Sequence, residues 1–236
     1  MTAALAITQT ELAPDVHTFD GRRLRVEVWT ETLIDVQRGA STGAIVRSRL
    51  IDLEDGKALS PNMRSALLGS DIERADLVGL RRARHSAPAS AGLLMVEVSF
   101  VTASSQRARS GLAEAAALLR NTAGGALVWL MTDIPDGAGG RLSEPLTVLR
   151  AMGRAVFGEI RAPNAARSLR GSGLTGVVLA APVGLNETDA ALWLLSAGRG
   201  VEAAAPLPRI ASGAPKAELA GIAAAAGFTH ISVPQP

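Results

Sequence analysis

The chain of 236 residues is 47% hydrophobic and 19% charged, a balance that excludes a largely disordered protein, because such chains are poorer in apolar residues and richer in net charge. It contains no cysteine, which excludes disulfides, thiolate metal sites and cysteine nucleophiles. No apolar run approaches a membrane span, and the opening MTAALAITQTELAPD has neither a basic lead nor a long apolar core, so the chain is expected to be cytoplasmic.

The pI near 9.9 is not a sign of nucleic-acid binding. With no tyrosine and only two lysines, Lys57 and Lys216, almost nothing titrates between neutrality and the arginines, so a formal charge of +2 suffices to raise it. The one tight basic cluster, residues 80–85, lacks the aromatic residues that stack on bases and reads as a solvated helix end. The histidines His17, His85 and His230 are too scattered for a His-rich metal site.

Residues 1–21 carry Pro14 and no sustained period, so they are expected to form a loose N-terminal arm ahead of one domain over 22–236. Leu24–Trp29 alternates apolar and polar residues as a half-exposed strand does, and a second strand is expected over Ala44–Ile51, with the turn between them in Gln37–Gly43. Ser60-Pro61 opens a helix, and Asp71–Arg84 has helical spacing through Ile72, Ala75, Val78 and Leu80.

From Leu93 onward, short apolar runs alternate with alanine- and leucine-rich stretches. Strands are expected in Leu93–Phe100, Ala126–Ile134, Arg154–Ile160, Leu174–Ala181, somewhere within Gly200–Ile210, and in Phe228–Val233. The helices between them are Arg109–Arg120, Leu146–Met152, Asn164–Arg170, Asp189–Ala197 and Ala217–Ala226. Gly153, Gly171, Gly198 and Gly227 stand where left-handed helix caps are expected. Nearly continuous apolar strands separated by helices predict parallel strands buried on both faces, and about six such units after two earlier strands favour a closed α/β, TIM-like (β/α) barrel over an open sheet.

Gly171-Ser-Gly173-Leu-Thr-Gly176 spells a dinucleotide fingerprint, but it follows a helix and precedes a strand, the reverse of what a pyrophosphate at a helix N-terminus requires. It is read as an αβ turn. Ligands of such barrels bind at the C-terminal ends of the strands. There Glu97, Asp133 and Glu159 could share one oxygen-ligated divalent cation, and Arg161, Arg167 and Arg170 follow the third long strand where they could meet phosphate. The competing readings are that Glu97 pairs with an arginine, that Asp133 and Glu159 face water, and that Arg167 and Arg170 form a solvated helix face.

The layout resembles the EAL domains that hydrolyse or bind cyclic di-GMP. Gly56 and Leu59-Ser60-Pro61 are similar to that family's entry to the first helix, and Asp76-Leu-Val-Gly-Leu80 resembles its aspartate-bearing second helix. Val96-Glu-Val-Ser99 resembles its V-N-x-S strand, Leu130-Met-Thr-Asp133 its E-x-T-E strand, and Ala155-Val-Phe-Gly-Glu159 its aspartate-pair strand. The resemblance implies an EAL-type barrel of mostly parallel strands, with the first strand free to run against the others.

The resemblance also implies two metals held by carboxylates, an asparagine and a lysine, and here the sequence departs from it. No glutamate occurs between Glu31 and Glu54, so the glutamate of E-A-L is missing from the second strand. Glu97 replaces the asparagine, Leu130 and Gly158 replace acidic residues, Leu179-Ala180-Ala181 stands for K-I-D, and Ser212 replaces a late glutamate; only Asp133 and Glu159 keep carboxylates. The expectation is a non-hydrolysing bacterial regulatory or scaffold domain without cofactor. It would act through a protein partner or as a homodimer, with weak cyclic di-GMP binding and no nucleic-acid partner. The alternative is a metal-dependent barrel enzyme built on Glu97, Asp133 and Glu159.

Overall fold

A computed structural model describes residues 15–88, 92–123, 125–204 and 207–235. The first described strand, β1 (Val16–His17), pairs antiparallel with the start of β2 (Arg23–Asp35), with Val16 opposite Leu24 and both side chains buried. The expected arm therefore does not extend loosely to residue 21, because Asp15 accepts a hydrogen bond from Val26 N at 2.7 Å and Asp15 N donates to Leu24 O. Residues 1–14 of that arm lie outside the described residues.

β2 turns back into β3 (Ala40–Asp52) through a four-residue turn in which Asp35 Oδ1 accepts from Gln37 N and Arg38 N and Gly39 takes φ +60°. These side-chain bonds replace backbone pairing in the turn, and they let β3 begin four residues earlier than the sequence alone predicts. Ser60 caps α1 (Pro61–Ser65), its hydroxyl accepting from Met63 N, and α2 (Gly69–Ser86) follows. The chain then alternates: β4 (Leu93–Ser99), α3 (Phe100–Ser104), α4 (Arg109–Ala123), β5 (Ala126–Thr132), α5 (Ser143–Met152), β6 (Ala155–Ile160), a 3-10 segment (Pro163–Leu169), β7 (Gly176–Ala180), α6 (Glu187–Val201), β8 (Arg209–Ser212), α7 (Ala220–Ala225) and β9 (His230–Pro234). The strand expected within Gly200–Ile210 begins only at that window's end, as β8 from Arg209 to Ser212, and the helix expected over Asn164–Arg170 is the tighter 3-10 segment.

Neighbouring strands from β3 to β9 are parallel, and β2 closes the ring by pairing antiparallel with both β3 and β9. The result is a closed barrel of eight strands, β2–β9, with one strand reversed. Two layers of apolar side chains hold it. The outer layer lies between strands and helices and includes Val96, Trp129, Val156, Leu112, Leu146 and Leu194. The inner one, Leu33, Ile45, Met95, Val128, Leu130, Phe157, Val178 and Ile210, contains no helix residue and fills the barrel interior.

Two of the four expected glycine caps are left-handed, Gly171 at φ +75° and Gly227 at φ +86°. The other two serve close approach. Gly153 is extended at φ −146°, and a Cβ there would lie 2.7 Å from Trp129 Nε1. Gly198 is inside α6, where a Cβ would lie 2.2 Å from Ala226 O.

Candidate functional site at the barrel mouth

Strand alternation sends every second side chain inward. On β3 the inward positions run Ile45 then Arg47, on β4 Met95 then Glu97, on β6 Phe157 then Glu159, and on β8 Ile210 then Ser212. On the reversed strand β2, Leu33 is followed toward the mouth by Glu31. One step above the apolar layer the interior is thus a polar layer, with Arg47 at its centre.

Arg47 Nη1 donates to both Glu97 Oε1 and Glu159 Oε2, Nη2 donates to Ser212 Oγ, and Nε lies 3.5 Å from Glu31 Oε1. The four charged side chains are 5–14% exposed. Two of the carboxylates are also held from behind. Glu97 Oε2 accepts from Ser48 N at 2.8 Å, and Glu31 Oε2 accepts from Ser232 Oγ. Burial disfavours the Arg47 charge, but Glu159, Glu97 and Glu31 outweigh it and hold the guanidinium well above its ordinary range. Burial lifts the Glu97 carboxyl above its usual 4.5, Arg47 opposes the shift, and the neighbouring Glu159 charge adds to it.

At the rim, a second set of charges surrounds Asp133, the residue after β5. Arg64 Nε lies 3.0 Å from Asp133 Oδ2 and Arg161 Nη2 lies 3.2 Å from Asp133 Oδ1. Arg64 Nη2 also reaches Asp76 Oδ1 at 3.1 Å, and burial, which opposes its charge, is outweighed by Asp76 and Asp133. Asp133 is the one non-glycine at positive φ, 53°, among the described residues, a conformation that aspartate adopts more readily than most residues. A cleft of about 420 Å³ opens beside it, lined by Pro61, Asp133, Glu159, Arg161, Ala165 and Leu169 among others.

The sequence-predicted residues are therefore divided. Glu97 and Glu159 meet on Arg47, as the arginine-paired reading of Glu97 anticipates, and Glu159 is turned onto that guanidinium at the edge of the cleft, its side chain 8% exposed. Asp133 is turned onto Arg64 and Arg161, so the three carboxylates do not form one ligand set, and among the described residues no group of three or more His, Asp or Glu is placed to hold a metal. Arg161 lines the cleft, whereas Arg167 and Arg170 are exposed on the 3-10 segment and its end, outside the cleft lining. Met131 packs in the outer core, Phe157 belongs to the apolar interior layer, and Trp29 lies under Arg49, whose guanidinium carbon is 5.7 Å from the ring centroid.

The metal pair implied by the EAL resemblance does not fit this layer. A hard cation needs a cage of free oxygens, and the point on which Glu31, Glu97 and Glu159 converge is taken by a guanidinium carrying its own positive charge. Sequence reasoning missed Arg47, Glu31 and Arg64, and reached Asp76 only through the resemblance of its helix, without its partners. The available signal was phase, since Arg47 lies two residues from Ile45 on the face that a barrel strand turns inward.

Comparison of the sequence finds no matching protein family and no matching curated protein. Comparison of the structure does find likeness. The EAL domain of Pseudomonas aeruginosa FimX bound to cyclic di-GMP is 14% identical, with 88% of each chain covered and a TM-score of 0.52. Vibrio cholerae LapD, comprising its S helix, GGDEF and EAL parts and bound to cyclic di-GMP, is 11% identical with a TM-score of 0.56, covering 88% of this chain and 52% of that one. An EAL enzyme, Bd1971, in its cAMP-bound form is 14% identical with a TM-score of 0.50, and this chain spans 61% of its length. The fold is EAL-like.

Proposed function

We propose that the chain is a non-hydrolysing EAL-like regulatory domain of cytoplasmic bacterial cyclic di-GMP signalling, formed by residues 22–236 with the preceding strand, and acting through a protein partner or a second copy of itself. Arg47 carries the reading. Hydrolysis on a metal barrel needs a cation that lowers the pKa of bound water, and Arg47 occupies the interior point where the carboxylates meet without supplying a coordination position.

Weak binding of cyclic di-GMP at the strand-end mouth is part of this proposal. It is supported by the cleft of about 420 Å³, by Arg161 at its rim, and by the dinucleotide present in the FimX and LapD structures. A role in protein contact is supported by α6, where Leu192 and Leu195 are 62% and 50% exposed. No helix among the described residues is long and apolar enough to cross a membrane. The alternative metal enzyme loses support because Asp133 is engaged by two arginines.

The test is incubation with cyclic di-GMP and excess Mg²⁺ or Mn²⁺, followed by chromatography for the linear product. No product above a protein-free control is expected, and turnover overturns the reading. Sedimentation over a tenfold concentration range tests self-association, a single monomer mass throughout removing the homodimer.

A further inference from the structure

We propose that the base of the barrel, the end opposite the mouth, is a cationic face that seats the protein on an anionic lipid surface. The base is where β4–β9 begin and where α2, α4, α5 and α6 end. Arg81 and Arg84 stand at the end of α2, Arg120 at the end of α4, Arg154 between α5 and β6, and Arg199 at the end of α6, all of them exposed. The basic run at residues 80–85 is therefore one sector of a face that continues around the ring from the β3–β4 crossover to the β7–β8 crossover.

The missing counter-charges carry the inference. Toward the mouth, Arg49, Arg109 and Arg161 each meet a carboxylate. At the base, Arg81, Arg120, Arg154 and Arg199 have no hydrogen-bond or ion-pair partner among the described residues. The acidic residues described there are Asp35, engaged by its own turn and by Arg38 at 3.9 Å, and Glu202, which makes no ion pair. Residues 89–91, 124 and 205–206, outside the description, carry no charge. A cation in the last turn of a helix offsets the helix dipole, which accounts for Arg120 or Arg199 singly. It does not account for Arg154, which lies outside any helix, or for the scarcity of acids, since like charges gathered on one face repel and oppose the compact state.

A headgroup layer fits this face better than a nucleic acid does. The charges come from four separate sectors of the ring, and the exposed aromatic ring Phe19 is at the mouth end, so no exposed ring stands among them for a base to stack on. A lipid surface meets such spread charges together, each arginine contributing about fivefold to partitioning. Seated this way, the protein keeps its mouth open to solution, and the inference holds whether or not the mouth binds a dinucleotide.

The experiment is sedimentation of the full chain with vesicles of phosphatidylcholine, alone or with one-third phosphatidylglycerol. Binding is expected to the anionic vesicles and not to the neutral ones, falling at least about fivefold between about 0.05 and 0.3 M salt. The triple variant Arg81→Gln, Arg154→Gln, Arg199→Gln is expected to lower partitioning at least about tenfold while its thermal midpoint stays within about 3 °C of wild type. Arg22→Gln, Arg107→Gln, Arg141→Gln makes the same change in net charge at the mouth end and is expected to alter partitioning by less than about threefold. No binding to anionic vesicles at the lowest salt overturns the inference, and so does an equal loss in the two triple variants. Tighter binding to a short DNA duplex than to the anionic vesicles at the same salt assigns the face to nucleic acid and overturns it as well.

Discussion

Arg64 and Asp133 meet across the rim of the barrel, Nε to Oδ2 at 3.0 Å, joining a five-residue helix to the end of β5. The same guanidinium reaches Asp76 on α2, whose other oxygen accepts from Ser99 N at 2.9 Å and from the Ser99 and Thr102 hydroxyls. The rim helix is therefore tied to the buried start of α3 through one aspartate.

This network predicts unequal costs for its two ends. Arg64→Ala leaves Asp76 with three donors and is expected to cost about 1–2 kcal/mol. Asp76→Ala strands the buried Ser99 N–H, removes the acceptor shared by the Ser99 and Thr102 hydroxyls and leaves Arg64 with Asp133 alone, and is expected to cost about 3–5 kcal/mol. Urea unfolding of the two variants measures the difference, and equal midpoints would refute the linkage.

Two groups predict opposite pH slopes. Glu97 is raised in the folded state, by burial first, so the native protein holds its proton to higher pH than the unfolded chain, whose value is near 4.5. Its contribution to stability is then fully present below 4.5 and is lost as pH rises through the folded value. His230 is lowered by burial against the opposing charge of Asp35, so the unfolded chain binds the extra proton and stability falls as pH drops below 6.5. Relative to wild type, Glu97→Gln is expected to flatten the decline above pH 4.5 and His230→Asn the decline below pH 6.5, both read from urea unfolding across pH 4.5–8.

Much of the barrel is legible in the sequence because β4 to β7 are apolar runs bounded by turn residues, and the reversed first strand comes with the EAL resemblance; β8, the four residues Arg209–Ser212, carries too short an apolar signal to be placed. The centre of the site is not. Arg47 is one of 24 basic residues, and its role depends on Glu31, Glu97, Glu159 and Ser212, which lie 16, 50, 112 and 165 residues away in the chain. Only closure of the barrel brings them together. Gly198 escapes sequence reading for a related reason: the segment it must clear, at Ala226, is distant in the chain and local sequence does not reveal it as a neighbour.

That neighbour gives a packing prediction. A Cβ on Gly198 would meet backbone at Ala226 O, 2.2 Å away, with little freedom for either segment to yield, so Gly198→Ala is expected to destabilise by about 2–3 kcal/mol despite improved helix propensity. Gly221, exposed in α7 with nothing within 4 Å of an added Cβ, is the control: Gly221→Ala is expected to stabilise by about 0.5–1 kcal/mol. Thermal midpoints that move in the same direction would show that the close approach does not govern α6.

The last prediction concerns how the mouth would admit an anion. Asp133 occupies both Arg64 and Arg161, Oδ2 on one and Oδ1 on the other, so a phosphate reaching these guanidinium groups must compete with a carboxylate already in place. Arg161 is the more accessible of the two, its side chain 52% exposed against 18% for Arg64, and it lines the cleft. Charge-assisted hydrogen bonds are worth about 1.5–3 kcal/mol, which at about 1.4 kcal/mol per factor of ten corresponds to about tenfold or more in affinity. Asp133→Asn is thus expected to tighten cyclic di-GMP binding by about tenfold and Arg161→Ala to weaken it by a similar factor. Arg167→Ala and Arg170→Ala, outside the cleft, should leave affinity within about twofold. Calorimetry with the dinucleotide compares all four; tighter binding by Arg161→Ala, or a loss confined to Arg167→Ala and Arg170→Ala, would move the anion site away from Asp133 and onto the 3-10 segment.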